Sequence, residues 1–166
     1  DTIGKKAISM KHGVAAAAYL FQTYHLLQNG IDPHKDFAEF REGKNAVDLI
    51  LAVKAGAMDI AFVRSGVLEN LDKEGKISMD EFVVVDERNT PGFPLRHTTP
   101  LYPEWFFSAG SSTDPALAQS VKQALLALTP ESPASQSAGI VGMIDAMPLD
   151  SLIEVMKTLR VKPFDQ

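Results

Sequence analysis

The feature that most constrains the fold is an alternation of strand-like and helix-like patterns in the first part of the chain. Short apolar segments at 6–10, 37–41, 58–63 and 82–85 are typical of strands, and amphipathic segments at 14–28, 45–55 and 65–71 are typical of helices. This order predicts an α/β fold with a mostly parallel sheet flanked by helices and right-handed crossovers. The continuous apolar run at 58–63 predicts a strand buried on both faces.

The second half of the chain has a different pattern. Four prolines fall between 88 and 105 and predict an extended crossover segment. C-terminal helices are expected from Asp114 and Pro115 to about 128, near 134–140 and at 149–159. We therefore expect an α/β ligand-binding lobe at 1–90, and a crossover segment with C-terminal helices at 91–166.

Composition excludes several classes of function. The 166 residues carry a net charge of −5 and no cysteine. A nucleic-acid partner is not expected, because binding to the phosphate backbone needs a basic face, and thiol chemistry and disulfides are excluded. No apolar run is long enough to cross a membrane. The chain starts without Met and without a signal-peptide pattern, so we expect it to be part of a longer protein.

Polar and basic residues follow three of the predicted strands. Ser9, Lys11, His12 and Gly13 follow the first strand. Lys44 and Asn45, then Arg64 and Ser65, follow the second and third strands. Carboxyl ends of parallel strands share one edge of a sheet, where ligands bind, and helix N-termini there favour anions. An anion site is therefore predicted at this edge; the alternative is ordinary surface loops.

Residues 70–81 fit a calcium loop in residue type. Oxygen-bearing side chains occupy the ligand positions, and Gly75 stands at the turn position. The flanks do not fit, because a strand-like segment rather than a helix follows. The alternative is a capped helix end that turns into a strand.

The segment 97–105 contains the single Trp, a His and Tyr102 between prolines. An aromatic ring with a polar tip suits a ligand wall, and the alternative is a connector packed on the core. The chain has no nucleophile elbow, phosphate-binding loop or zinc-protease motif. We therefore expect neither enzymatic activity nor a cofactor.

Several segments taken in order resemble one family. They are similar to the second lobe of periplasmic binding proteins of the phosphate/phosphite/phosphonate type, which have a bilobed type 2 fold. The segments that carry the resemblance are GKK at 4–6, GIDP at 30–33, AVKAGAMD at 52–59, VRSGVLE at 63–69 and EGKI at 74–77. Others, LYPEW at 101–105, ALLAL at 124–128 and LRVKPF at 159–164, resemble the extracytoplasmic sensor domains of histidine kinases related to the tetrathionate sensor.

The resemblance implies a sensor domain that holds a small solute between two lobes and signals to a downstream membrane kinase. It also implies an extracytoplasmic location and a first lobe that lies upstream of this chain. Family contacts map to Ser9, Lys11, His12 and Gly13, and to Arg64 with Ser65. Lys11 and His12 suggest an anionic solute. The alternative is a solute-binding protein of a phosphonate-type ABC transporter.

Overall fold

The fold places three parallel strand ends at one edge of a small sheet. In the computed structural model, which describes residues 2–103 and 105–166, the strands are β1 (Lys6–Ser9), β2 (Glu39–Glu42) and β3 (Ile60–Ala61). β1 is central, pairing in parallel with β2 and with β3. The prediction of an α/β fold with a parallel sheet flanked by helices is confirmed.

Helices connect the strands, and further helices follow them. They are a π-helix at Ala16–Leu20, then α1 (Phe21–Gln28), α2 (Pro33–Asp36), α3 (Ala46–Lys54), α4 (Val67–Lys73), a short 3-10 helix at Met79–Glu81, α5 (Pro115–Leu126), α6 (Pro133–Ala138) and α7 (Asp150–Thr158). Side chains cap two of them as the sequence predicts. Asn45 accepts the Asp48 amide at 2.9 Å at the start of α3, and Asp114 accepts the Leu117 amide at 2.9 Å before α5.

The core lies on both faces of the sheet. On one side Ala7, Phe37 and Phe62 pack together, and on the other Ile50, Leu71 and Ile77 do so. Burial of these side chains contributes about 1.5–3 kcal/mol for each large one, which makes this packing the main source of the sheet's stability.

The first helix is less regular than predicted. The sequence predicts a continuous helix from residue 14, whereas Ala18 has non-helical angles (φ −137°, ψ 21°) within the π-helix. The carbonyl of Ala18 accepts the Met10 amide at 3.1 Å. This tertiary hydrogen bond outweighs the high helix propensity of the alanines.

The prediction of a fourth strand at 82–85 is wrong. Residues 82–85 form no hydrogen-bonded pairing with another strand of the described residues, and Val83 is 88% exposed. The Val85 carbonyl instead accepts a hydrogen bond from the Thr98 hydroxyl at 2.7 Å. The third strand is also shorter than predicted, and Ile60 and Ala61 are only half-buried because β3 is an edge strand. Gly66, with φ +89°, precedes α4, so Ser65 does not cap that helix as expected.

The chain divides into two compact units. One contains the sheet and comprises the chain up to Leu101 together with Ser151–Gln166; the other is Tyr102–Asp150. In this division, Ser151–Gln166, which contains most of α7, belongs with the sheet. Val155 is fully buried, and the Tyr24 hydroxyl donates to Glu154 at 2.7 Å.

Candidate functional site

The loop after β1 is the centre of the candidate site. It begins at Ser9, whose register partner is Glu42 at the end of β2, and the Gly43 amide donates to the Ser9 carbonyl at 2.8 Å. The third strand joins the same edge, since the Phe62 amide donates to the Ile8 carbonyl at 2.9 Å. The three strand–helix junctions that were predicted to share an edge therefore do so.

The imidazole of His12 is packed against a cluster of aromatic rings. Its centroid lies 4.6 Å from that of Tyr19, in a stacked arrangement, and 4.4 Å from that of Phe40. His34 completes the cluster at 5.2 Å, and its Nε2 lies 2.7 Å from the Tyr19 hydroxyl. Burial lowers the pKa of His12, and nearby Glu42 opposes this only in part. His12 is therefore largely neutral at pH 7, and does not supply the positive charge expected of it.

One backbone N–H group of the loop is already hydrogen-bonded to a carboxylate. The backbone amide of His12 donates to Glu42 Oε1 at 2.8 Å, and His12 Nδ1 lies 3.8 Å from the same oxygen. Glu42 is about half exposed. The sequence-based interpretation considered only the basic residues of the loop, so this acidic group is an addition to the site.

The other groups of the loop differ in whether they are available to bind a ligand. Ser9 is fully buried and its hydroxyl donates to the Met10 carbonyl at 2.8 Å, so it is engaged within the loop. Lys11 and Gly13 are exposed, and Gly13 has a φ of +70° that favours glycine. Among the described residues, the amides of Lys11 and Gly13 have no acceptor, which leaves two donors and one ammonium group at this edge.

At the second and third junctions, the groups predicted to meet a ligand are the backbone amides of Asn45 and Ser65 and the side chain of Arg64. The side chain of Asn45 caps α3 and also donates to the Asp48 carboxylate at 2.5 Å. Arg64 is exposed and follows β3 closely. Ser65 lies in the turn before α4. These positions share the edge with the β1 loop, although the Asn45 side chain is used by its own helix.

Tyr102 belongs to the other unit and is half-buried there. Of the predicted ligand wall, His97 belongs to a small hairpin, and residues 98–101 after it form no helix or strand. Arg88 and His97 form an antiparallel bridge, and the His97 imidazole is held by the Leu95 carbonyl and the Thr90 hydroxyl, each at 2.9 Å. His97 is therefore a buried structural residue. Glu104 lies outside the described residues.

The calcium-like loop at 70–81 uses its carboxylates in local structure. Asp72 accepts the Met79 amide at 3.0 Å, and Glu81 accepts the Ser78 amide at 2.9 Å and pairs with Lys54 at 2.8 Å. The Lys54 ammonium lowers the pKa of Glu81. Within residues 2–103 and 105–166, no group of three potential ligands is arranged to hold a metal ion.

Sequence reasoning did not identify Tyr19, His34, Phe40 and Glu42 as part of the site. A signal for two of them was present. Phe40 and Glu42 are two residues apart on a strand that ends at the predicted edge, so they share the face that meets the β1 loop. Tyr19 depends on the irregular turn at Ala18, which the pattern does not indicate.

A family model matches residues 1–150, and it describes the periplasmic substrate-binding protein of a phosphonate ABC transporter. The chain belongs to this phosphonate-binding family. The match covers the second unit and the sheet unit up to Leu101 but not Ser151–Gln166, and it confirms the resemblance to phosphonate-type periplasmic binding proteins. Solute binding, rather than catalysis, is what the family description states.

A curated relative is the tetrathionate sensor histidine kinase TtrS of Salmonella typhimurium. It is 34% identical over 125 residues, which cover 75% of this chain and 21% of the relative. The chain thus spans about a fifth of that protein's length. In the part of the chain that the structure describes, every helix is too short or too polar to cross a bilayer.

Proposed function

We propose that this phosphonate-binding-family domain is the extracytoplasmic ligand-sensing part of a sensor histidine kinase and that it binds a small anionic solute. The main support is the loop after β1, where the Lys11 and Gly13 amides have no acceptor among the described residues and the Lys11 ammonium is exposed. Amide groups and a cation at the carboxyl edge of a parallel sheet suit an oxyanion.

Arg64 is the second basic contact in this proposal. It follows β3 on the same edge, and its guanidinium can bind an oxyanion with two hydrogen bonds. The backbone of Asn45 and Ser65 would add donors at the neighbouring junctions. Polypeptide upstream of the chain would form the other lobe, and closure of the lobes on the solute would signal to the kinase.

The experiment is a thermal-shift screen of the parent protein's extracytoplasmic region with phosphate, methylphosphonate, sulfate and tetrathionate. A ligand at 100 times its Kd adds about 2.7 kcal/mol to the free energy of unfolding, which a shift in Tm reports. Lys11→Ala and Arg64→Ala should reduce the shift. Lys73→Ala, which removes the same charge at the end of α4, is the matched control. Unchanged affinity in both site variants would contradict the proposal.

A solute-binding protein of an ABC transporter is the second candidate, because the matching family model describes that role. Ligand binding is expected in either case, so binding alone does not separate the two. Autophosphorylation of the parent protein in membranes does: a change with added anion that Lys11→Ala removes supports the sensor, whereas a parent protein without kinase activity supports the transporter component.

A further inference from the structure

We propose that Glu42 determines the specificity of the anion site, because its carboxylate competes with an external anion for the His12 amide. This inference rests on the proposed function, since it concerns the same loop. The site would then favour a multi-oxygen oxyanion such as phosphate over a simple monocarboxylate such as acetate, because only the former offers more acceptors than Glu42 already does.

The position of Glu42 is fixed by the strand that carries it. In β2, Phe40 and Glu42 point to one face and Glu39 and Arg41 to the other, as alternation requires. Phe40 lies against the His12 ring at 4.4 Å between centroids, while Glu42 Oε1 accepts the His12 amide at 2.8 Å. β2 therefore holds both the ring and the backbone of His12, and the carboxylate lies where a ligand oxygen would accept that amide.

Displacement of Glu42 is feasible because its side chain is about half exposed. A carboxylate that leaves the amide can hydrate in water, so no buried charge is left unpaired. While it stays, it repels an approaching anion, and the neutral His12 ring does little to offset its charge. A competing anion must therefore gain additional hydrogen bonds, which the amides of Lys11 and Gly13 can donate.

The test compares Glu42→Gln with Glu39→Gln. Both variants remove one negative charge from β2, but Glu39 lies on the opposite face and pairs with Arg41. The extracytoplasmic region of the parent protein, ¹⁵N-labelled and carrying either variant or neither, is titrated with inorganic phosphate and, in separate samples, with acetate. Binding is followed at the Lys11, His12 and Gly13 amides. Glu42→Gln should bind phosphate about three- to tenfold more tightly than the unaltered protein, because a neutral amide oxygen is a weaker competitor and repels less.

Further results separate specificity from a general charge effect. In Glu42→Gln, acetate binding, which is weak in the unaltered protein, should strengthen by a larger factor than phosphate binding, because acetate has no more oxygens than the Glu42 carboxylate. Glu39→Gln should change either affinity by less than about twofold. The increase in anion affinity caused by Glu42→Gln should become smaller as salt is added. Equal gains in the two variants, or phosphate binding that Glu42→Gln leaves unchanged or weakens, would overturn the role of Glu42 while the anion site stands. Absence of phosphate binding by all three proteins would overturn the anion site, and this inference with it.

Discussion

His12 shows how a residue with one expected role can have another. A basic residue in a loop at the sheet edge suggested a charged ligand contact. In the structure the ring packs against Tyr19 and Phe40, and Nε2 is buried without a hydrogen-bond partner among the described residues. Protonation would place a charged donor where no acceptor lies, so the packing favours the neutral ring.

The lowered pKa of His12 predicts a specific pH dependence of stability. The unfolded chain binds a proton at His12 near pH 6.5, whereas the folded protein does so only at lower pH. Between the folded and unfolded pKa values of His12, the unfolded state binds more protons than the folded state. The free energy of unfolding therefore falls as the pH falls through that window. His12→Gln should flatten this part of the profile. Urea unfolding midpoints at pH 7 and pH 5 measure the effect, and an equally steep profile in the variant would contradict the assignment.

Gly43 provides a second prediction at the level of one residue. A Cβ at this position would lie 2.3 Å from Leu49 Cδ1 and 3.3 Å from Ile8 Cδ1, and Leu49 is fully buried. Gly43→Ala should therefore lower the free energy of unfolding by about 1–3 kcal/mol through overpacking. Chemical denaturation measures this.

The matched control for Gly43→Ala is Gly110→Ala. Gly110 does not have a positive φ, and the nearest atom to its added Cβ is at an ordinary 3.8 Å. This change should have little effect. Leu49→Val with Gly43→Ala should recover part of the loss, because the shorter side chain makes room. A double variant as unstable as the sum of the two single variants would argue against overpacking.

At the scale of elements, local signals predicted helices better than strands. Asn45 and Asp114 mark helix starts with a side-chain hydrogen bond that depends on nearby residues only, so the sequence locates α3 and α5 well. Strands need a partner that the local pattern does not specify. The run at 82–85 is rich in valine, yet it pairs with no strand, and the side chain of Thr98 takes the Val85 carbonyl.

The candidate site was likewise only partly predictable from the sequence. Parallel strand order placed Lys11, Asn45 and Arg64 at one edge, and this much could be predicted from the alternation of elements. The cluster around His12 could not, because it depends on the turn at Ala18 and on the register that sets Ser9 opposite Glu42.

The N-cap of α3 gives a prediction at this scale. Asn45→Ala removes the acceptor of the Asp48 amide and should cost about 1 kcal/mol of stability. Because α3 carries Leu49 and Ile50 into the core, the loss should appear in the unfolding of the sheet unit. Asn70→Ala, on the exposed side of α4, is the control and should be neutral or slightly stabilising, since alanine is the better helix former. Equal losses in both variants, measured by urea denaturation, would exclude a capping effect.

At the scale of the whole molecule, the two units differ in how much apolar surface they bury. The sheet unit contains the buried hydrophobic side chains of the described residues, whereas Tyr102–Asp150 buries only Ser135 among those described. Exposed large side chains are frequent in the second unit and include Trp105, Phe107, Leu117, Val141 and Ile144. A unit without an apolar core gains little free energy from folding.

This difference predicts unequal protection from hydrogen exchange. In the protein as described, the amides of α5, which buries no residue, should exchange by local opening, whereas those of α3 around Leu49 and Ile50 should approach the protection set by global unfolding. Exchange followed by mass spectrometry of peptides from both helices measures this. Protection of α5 equal to that of α3 would contradict this prediction and would show that the second unit is stable in its own right.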